Sequence, residues 1–498
     1  MTEAKSSSPV ATSKPDKDAQ WSSDSDAESG LGVTLQSILK SGRVEQNGIV
    51  PIPLEDRKNT RFFNIFTVWA AINTNILGVS FGILGPLVYG LSLRDSALVI
   101  LFFNLLSVIL PAYLATFGPK TGMRQMIQAR YSFGRYIVSV AVLCNLATMI
   151  GFTIFICIIG GQCLAVVSGG GLSLNVGIVI ISVLSLIVSF WGFRLLHIFE
   201  RYSAVLAAII VIITTGYAGR GLTKQPAEPP VATARGVLNF GMAVASYQIP
   251  FGVLASDVTT YFDPKVPSWR VFAYTYAGLN IPNIIVMTLG AALASAMPYN
   301  ESWSKGYEAF EVGGLLGGVL EPGGVFGKII LVLLSLTLLG NTCATFYSVT
   351  LNFQTLIPWL VRVPRYVFSF VVTGIMILVS ILAVDNFTEA LQNALSLIAY
   401  WSSTFIGVVI AEHIFFRGRD FSNYNPAHWD DASKLPLGVA ALAASICTIA
   451  AVVPLMDQNY WRGPAAASIG DIAFEMAFVI SFIIYVPMRW VEKRLTGR

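Results

Sequence analysis

The sequence predicts an all-α membrane protein with about twelve transmembrane helices. Of its 498 residues, 54% are hydrophobic and only 12% are charged, and its mean hydropathy of +0.66 is far above that of a soluble globular domain. A helix needs roughly 20 apolar residues to cross the hydrocarbon core of a lipid bilayer. The apolar runs are continuous rather than alternating, which excludes a transmembrane β-barrel. They lie near residues 64–90, 97–117, 137–167, 172–193, 202–218, 236–256, 271–297, 325–352, 367–384, 388–411, 435–455 and 469–489.

The start of the chain differs from the rest. Its first half, "MTEAKSSSPVATSKPDKDAQWSSDSDAESG", is rich in Ser, Asp, Lys and Ala and has almost no large apolar residue. We therefore expect a disordered cytoplasmic tail over residues 1–60, without a cleaved signal peptide. The remaining chain divides into a ten-helix core at 61–411, a cytoplasmic loop at 412–434, and two extra helices with a short tail at 435–498.

The charged loops predict the orientation in the membrane. An even number of spans places both chain ends on one side, and the Lys and Arg residues near helix ends are concentrated on that side. The linker between the second and third runs, "FGPKTGMRQMIQARYSFGRY" at residues 117–136, contributes most per residue. By the positive-inside rule, both termini are expected in the cytoplasm. Glycosylation motifs at Asn300 and Asn386 fall on the predicted outer side, in agreement.

No motif in the chain indicates catalysis, so we expect no enzyme activity, no cofactor and no metal site. The chain has no phosphate-binding loop and no nucleophile elbow, and its three histidines lie in predicted loops without ligand spacing. The net charge of +4 does not indicate a nucleic-acid partner. The five cysteines lie inside predicted spans and are interpreted as apolar packing residues. They are Cys144, Cys157, Cys163, Cys343 and Cys447.

Two of the runs are interrupted by polar residues, glycine and proline. The first contains Asn73–Asn75 followed by Gly78–Pro86, and the sixth contains Ser246–Gln248 followed by Pro250. Such interruptions could be simple kinks. However, these two runs open two successive five-helix units, and paired interruptions of this kind indicate an inverted-repeat transporter with discontinuous helices. Unwound backbone is tolerated in a membrane only where it lines a cavity, so we expect a solute to bind there.

Three further runs carry side chains at helical spacing that could face this cavity. In the third, Phe152 could stack on a flat ligand or face lipid, and Gly160-Gly161 allows close helix contact. The polar stripes of the eighth and tenth runs could bind solute or join helices by hydrogen bonds. These stripes are Thr337, Asn341, Thr345, Ser348 and Asn352 in the eighth run, and Gln392, Ser396, Tyr400 and Ser403 in the tenth.

Several segments together resemble the fungal purine-cytosine permeases of the nucleobase-cation symporter family. They are the linker quoted above, "VEQNGIVPIPLEDRKNTRFFN" before the first run, "GGVFGKIILVLLSLTLLGNTCATFYSVTLNFQ" in the eighth, and "RVPRYVFSF" after it. The resemblance covers residues 45–490. It implies a LeuT-like 5+5 inverted repeat with two additional C-terminal helices, in the fungal plasma membrane. It also implies symport of adenine, guanine, hypoxanthine or cytosine with protons.

The resemblance also implies roles for individual residues. The family motif Ala-Asn-Asn-Ile-Pro-Asn aligns with Gly340–Thr345, where only the first Asn, Asn341, is retained. Phe251 stands where the family has a Trp that stacks on the base, and Ile156 stands where an Asn contacts it. Glu200 matches an acidic residue with a candidate role in proton coupling. The expected solute-binding residues are Asn341, Phe251, Phe152, Asn73, Asn75, Gln248 and Thr345.

The departures from the family motifs leave the solute open. Loss of an Asn that reads a base edge costs on the order of 1–3 kcal/mol if a polar group is left unmatched. We therefore consider three functions: a nucleobase permease, a permease for another small heteroaromatic such as pyridoxine, and a nutrient sensor that binds without transporting.

Overall fold

The computed structural model describes residues 48–190, 192–357, 359, 363 and 365–498, without the side chains of 189–190, 192–203, 343–344, 347 and 365–366. Within this part, regular structure consists of helices and two isolated bridges. The main helices are α1 Phe63–Asn73, α2 Leu77–Leu87, α3 Leu93–Ser107, α4 Ile109–Ala115, α5 Val138–Val167, α6 Leu174–Phe190, α7 Gly192–Leu222, α8 Ala234–Gln248, α9 Ser268–Ala296, α10 Glu301–Leu320, α11 Gly324–Leu356, α12 Arg365–Ala383, α13 Phe387–Ala411, α14 Val439–Val452 and α15 Ala473–Thr496.

Every predicted apolar run is helical. The first run is α1 with α2, the second is α3 with α4, and the others are α5 to α9 and α11 to α15. By length and composition alone, seven helical stretches of the described chain qualify as candidate spans, and the bent pair α1–α2 adds an eighth. Two of the seven, 42 and 50 residues long, each cover more than one helix, while Leu174–Val188 and Val439–Leu455 are shorter apolar helices.

Both predicted interruptions are confirmed. α1 and α2 are inclined by 58° to each other, and Thr74 between them has a ψ of 72°, which ends the helix. α8 ends at Gln248 and continues as two 3-10 turns, Ile249–Val253 and Ala255–Val258. Pro250 lies in the first of these turns, where its missing N–H group prevents continuation of the α-helix.

Glycines set the closest helix contacts. A Cβ atom added to Gly82 of α2 would lie 1.9 Å from the carbonyl oxygen of Met287 in α9, and one added to Gly290 would lie 2.2 Å from that of Val79. α2 and α9 are thus in backbone contact. The predicted role of Gly160-Gly161 is confirmed, since a Cβ atom on Gly161 would lie 2.8 Å from the amide nitrogen of Ile178 in α6.

The helix α10 has no counterpart among the predicted runs. It bends at Phe310 and Glu311, where Glu311 has a φ of +43° that residues other than glycine rarely adopt. The bend is held against the end of α5: the Gln162 side-chain amide donates to Glu311 (3.2 Å) and accepts from the Gly313 amide (3.2 Å). Because α10 mixes charged and apolar residues, the hydropathy of the sequence did not reveal this helix.

The linker 117–136, called the joint below, packs into the protein and is hydrogen-bonded to distant segments of the chain. The Lys120 ammonium donates to the carbonyl oxygens of Pro264 (2.7 Å) and Val266 (2.8 Å). Arg130 and Arg135 both donate to the Asp430 carboxylate at 2.8–3.0 Å. Burial lowers the pKa of Arg130, and the nearby Asp430 opposes that effect. We call the side of the molecule that carries this linker the terminal face, and the other side the distal face.

Residues 48–60, which the expected disordered tail includes, pack on this joint. Ile49 and Ile52 are buried, and the Ile52 amide donates to the Gly122 carbonyl oxygen (2.8 Å). The Arg57 guanidinium donates to the Pro119 carbonyl oxygen (3.0 Å). The expected tail therefore does not extend to residue 60, because apolar side chains in this short segment find a buried position. Residues 1–47 lie outside the described residues.

The last two helices are fastened to α13 by buried charges. Near the terminal face, Arg489 of α15 donates to Glu412 (3.2 Å) and to Glu492 (3.2 Å), and all three side chains are almost fully buried. The Tyr485 hydroxyl also donates to Glu412 (2.8 Å). Near the distal face, the Tyr400 hydroxyl of α13 donates to the Asp471 carboxylate.

Candidate functional site

Asn75, which lies within the break between α1 and α2, forms hydrogen bonds to the interrupted backbone on both sides of it. The Asn75 side-chain amide donates to the Ile72 carbonyl oxygen (2.6 Å), and its oxygen accepts from the Leu77 amide (2.9 Å). Asn75 thus pairs a carbonyl and an amide that the lost helical turn would leave unpaired. Asn73 donates to the Trp69 carbonyl oxygen (3.0 Å), whereas its own side-chain oxygen is buried without a hydrogen-bond partner.

A group of three amides lies beside the break, formed by Gln248 of α8, Asn104 of α3 and Asn283 of α9. Gln248 and Asn283 both donate to the Asn104 side-chain oxygen, at 3.0 and 2.8 Å. The side-chain oxygens of Gln248 and Asn283 are buried without a partner. The Asn283 oxygen lies 3.4 Å from the position of a Cβ atom on Gly78 of α2. The group therefore presents unused acceptors next to the broken helix.

Aromatic rings form a second group, the aromatic cluster, around Tyr247 at the end of α8. Phe81, Phe251 and Phe152 each meet Tyr247 edge to face, with centroid distances of 4.7, 6.0 and 6.1 Å. Trp69 of α1 meets Phe251 in the same way at 5.4 Å. Phe152 and Phe251 are half-buried, whereas Trp69, Tyr247 and Phe81 are fully buried. The two half-buried rings are thus the members with surface left for a ligand.

The structure brings together five of the eight sequence-predicted positions. Asn73, Asn75, Gln248, Phe251 and Phe152 surround the break through the contacts above. Asn341 and Thr345 are half-buried on α11, which packs against α1 and α5. The Thr345 hydroxyl donates to the Asn341 carbonyl oxygen (3.0 Å). Glu200 lies on α7, and its side chain is outside the described part of the structure.

Ile156, which aligns with a base-contacting Asn in the family, is fully buried in α5. At the far end of α11, Asn352 accepts from Asn145 of α5 (3.1 Å), so the polar stripe of the eighth run joins helices there. The described residues of α1, α2, α5, α8 and α11 include neither Asp nor Glu, and no cluster of potential metal ligands occurs in the described chain. The described residues around the break are therefore aromatic rings, amides and hydroxyls.

Sequence reasoning missed Asn104 and Asn283 as parts of this site. Asn104 is a polar residue within the second apolar run, and Asn283 follows Pro282 within the seventh. An amide inside an apolar run is costly unless it is hydrogen-bonded, which is the signal that could have identified both.

Known proteins resemble this chain over most of its length. The profile of a family described as permeases for cytosine and purines, uracil, thiamine and allantoin matches residues 51–474. The purine-cytosine permease of Emericella nidulans is 33% identical, over 93% of this chain and 92% of that protein. A vitamin B6 transporter of Saccharomyces cerevisiae is 28% identical, over 91% of this chain and 88% of that protein.

The fold matches that of Mhp1, a nucleobase-cation-symport-1 family transporter solved in a closed conformation with bromovinylhydantoin bound. The TM-score is 0.67 at 16% identity, over 90% of this chain and 96% of that chain. This likeness confirms the predicted fold of two inverted five-helix units followed by two extra helices. With the profile match, it shows that the chain belongs to the family of membrane permeases for cytosine, purines and related solutes.

Proposed function

We propose that this chain is a secondary transporter that imports purine bases and cytosine across the plasma membrane, with the terminal face in the cytoplasm. The observation that carries the proposal is the uncharged site at the two broken helices, where aromatic rings and unpaired amide oxygens lie together. A nucleobase is flat and presents N–H groups together with carbonyl oxygens or ring nitrogens along its edge. It therefore complements both kinds of group.

The half-buried rings and the nearby amides have different tasks in this proposal. The solute stacks on Phe152 and Phe251, which gives affinity that many flat rings could share. Discrimination comes from the amides, because each can donate and accept hydrogen bonds at the solute's edge. Asn75 acts by stabilising the unwound backbone through its bonds to Ile72 and Leu77. The edge-binding residues are Asn73, Gln248, Asn341 and Thr345.

Pyridoxine or another small heteroaromatic is the second candidate solute. The buried aliphatic side chain of Ile156 cannot bind a base edge, and a vitamin B6 transporter is among the relatives. A sensor that binds without transporting is the third candidate, and it differs from both in showing no accumulation. Uptake of labelled adenine, cytosine and pyridoxine, measured side by side in a fungal strain without its own permeases, separates the three.

Uptake is expected to depend on protons and not on sodium. One pH unit together with 100 mV supplies about 3.7 kcal/mol per proton, which permits roughly 500-fold accumulation. A protonophore should therefore abolish accumulation of adenine and cytosine, whereas replacing sodium by choline should leave it unchanged. Sodium dependence with protonophore resistance would contradict the proposal.

Glu200 is the proposed coupling residue in this experiment. Glu200→Gln should leave the protein at the membrane and make uptake independent of external pH, because the side chain can no longer release a proton. If the variant keeps the wild-type pH profile, Glu200 is only an interfacial ion-pair partner.

Asn341→Ala is expected to weaken the apparent affinity for nucleobases about ten- to a hundredfold, since an edge group of the solute loses its partner at about 1–3 kcal/mol. Thr337→Ala, one turn away on α11, is the matched control. Its hydroxyl donates to the Leu334 carbonyl oxygen of its own helix (2.6 Å), so its loss should change affinity little. Unchanged affinity for every base in a correctly located Asn341→Ala variant would remove Asn341 from the site.

A further inference from the structure

A cavity separate from the aromatic cluster opens on the distal face. It has a volume of about 790 Å³ and lies between the end of α2, the start of α8, α13 and the loop between α14 and α15. Arg235 lines it near the start of α8, while Gln248 stands at the other end of that helix, about 20 Å away at 1.5 Å per residue. The cavity therefore lies above the candidate site, at the outer ends of both interrupted runs.

One carboxylate organises the polar wall of this cavity. Asp457 is buried and accepts from Arg235 (2.5 and 2.9 Å), Arg462 (2.9 Å) and Asn239 (2.8 Å). Each guanidinium has five N–H donors, of which Asp457 occupies two on Arg235 and one on Arg462. The remaining N–H groups of both guanidinium groups are therefore further donors in this wall, and the bonds to Asp457 hold the two side chains in place. A second buried carboxylate, Asp471, accepts from the Asp457 amide (3.0 Å) and from the Gln458 side chain (2.6 Å) behind this wall.

The opposite part of the wall is amide and aromatic. Asn459 donates to the Gln392 side-chain oxygen (3.0 Å), which leaves the Gln392 amino group as a further donor. Tyr460 and Trp461 are each 48% exposed. Their polar atoms are nevertheless used within the protein: the Trp461 indole donates to the Val453 carbonyl oxygen (2.9 Å), and the Tyr460 hydroxyl lies 3.2 Å from that of Ser396.

These bonds distinguish the two rings from the aromatic residues that usually mark a membrane surface. Interfacial Trp and Tyr place their polar atoms among lipid headgroups. Here the polar atoms point into the fold, so the rings are fixed in orientation and their exposed surface adjoins the donor-rich wall. Fixed ring faces beside surplus N–H donors fit a flat molecule that carries carbonyl oxygens or ring nitrogens on its edge.

We infer that this cavity is a second solute site, where a flat heteroaromatic molecule with carbonyl oxygens or ring nitrogens on its edge docks from outside before it reaches the broken helices. The molecule stacks on Trp461 and Tyr460 and accepts hydrogen bonds from Arg462 and Gln392. The inference rests on the proposed function, because it takes the transported solute as the occupant. Binding at this site raises uptake at low solute concentration and does not discriminate among bases, since every base offers a ring face and an edge acceptor for these contacts.

The test measures binding and uptake on the same variants. Purified protein in lipid nanodiscs is titrated with labelled cytosine, and uptake is measured in cells that express the same chain. The wild type should bind two cytosine molecules, and Trp461→Ala only one. Trp461→Ala should also raise the concentration for half-maximal uptake about fivefold to tenfold, with an unchanged order of preference among bases. Trp461→Phe, which keeps a stacking face, should restore most of the loss.

Tyr299→Ala is the matched control, since Tyr299 is 49% exposed on the distal face and does not line the cavity. It should change neither the number of bound molecules nor the half-maximal concentration. The docking site is overturned if the wild type binds one cytosine molecule, or if Trp461→Ala changes neither the number bound nor the half-maximal concentration. Either result leaves the proposed import intact. A wild type that binds two molecules without accumulating any overturns the proposed transport instead, and one that binds none overturns both.

Discussion

Replacement of Gly82 by alanine is expected to destabilise the protein by about 3 kcal/mol, the upper end for an overpacked core, because a close-packed interface would have to open. A methyl group at this position would lie 1.9 Å from the Met287 carbonyl oxygen, which belongs to the backbone of α9 and cannot rotate away. The second half of the first run would then separate from α9. The variant should show a lower midpoint of thermal unfolding in detergent and less protein at the cell surface.

The same substitution at Gly151 provides the control. Gly151 lies inside α5, and a Cβ atom there would have no neighbour within 4 Å. Since alanine is the better helix former by about 0.5–1 kcal/mol, Gly151→Ala should be neutral or slightly stabilising. If Gly82→Ala unfolds at the wild-type temperature, the contact between α2 and α9 is looser than the structure indicates.

Arg489→Met is expected to cost about 3–5 kcal/mol, the range for removing one partner from a buried ion pair. Arg489 is 3% exposed and donates to both Glu412 and Glu492. Its loss leaves these buried carboxylates with fewer donors, although the Arg417 guanidinium still binds Glu412 (3.0 Å). Thermal unfolding of the purified variant should therefore begin at a markedly lower temperature.

Two comparisons make this prediction specific. Lys305→Met removes an exposed pair with Glu301, whose side chain is 81% exposed, and should cost no more than about 1 kcal/mol. Adding Glu492→Gln to Arg489→Met should recover part of the loss, because Glu492 is the carboxylate that loses its cation, whereas Glu412 keeps Arg417. Equal stability of Arg489→Met and Lys305→Met would mean that the buried network contributes nothing.

The sequence predicted the helices and their interruptions because these are local properties. The length of an apolar run is fixed by the thickness of the membrane, and Asn73–Asn75 and Pro250 interrupt their runs through their own backbone chemistry. The family resemblance then supplied the arrangement of the helices, which hydropathy cannot give. The roles of Phe251 and Asn341 remain predictions, although the contacts of Phe251 with Trp69 and Tyr247 place it beside the break.

Contacts between distant parts of the chain could not be predicted in this way. Asn104 and Gln248 are 144 positions apart, and neither residue identifies the other as its partner. The tenth run shows the same difficulty, since its polar stripe could bind solute or join helices. In the structure Gln392, Ser396 and Tyr400 contact the loop between α14 and α15, through Asn459, Tyr460 and Asp471. The joining role is confirmed for these three residues.

The positive charges of the linker at 117–136 are unpaired during synthesis and paired in the folded protein. Arg130 is 1% exposed and donates to Asp430, which stands 300 positions later. When the linker leaves the ribosome, Asp430 has not been synthesised, so Arg130 and Arg135 are free positive charges that, in the orientation proposed above, retain this segment on the cytoplasmic side. Synthesis of residue 430 then neutralises them and allows the joint to close. The same charges that would orient the nascent chain thus become ion-pair partners in the folded protein.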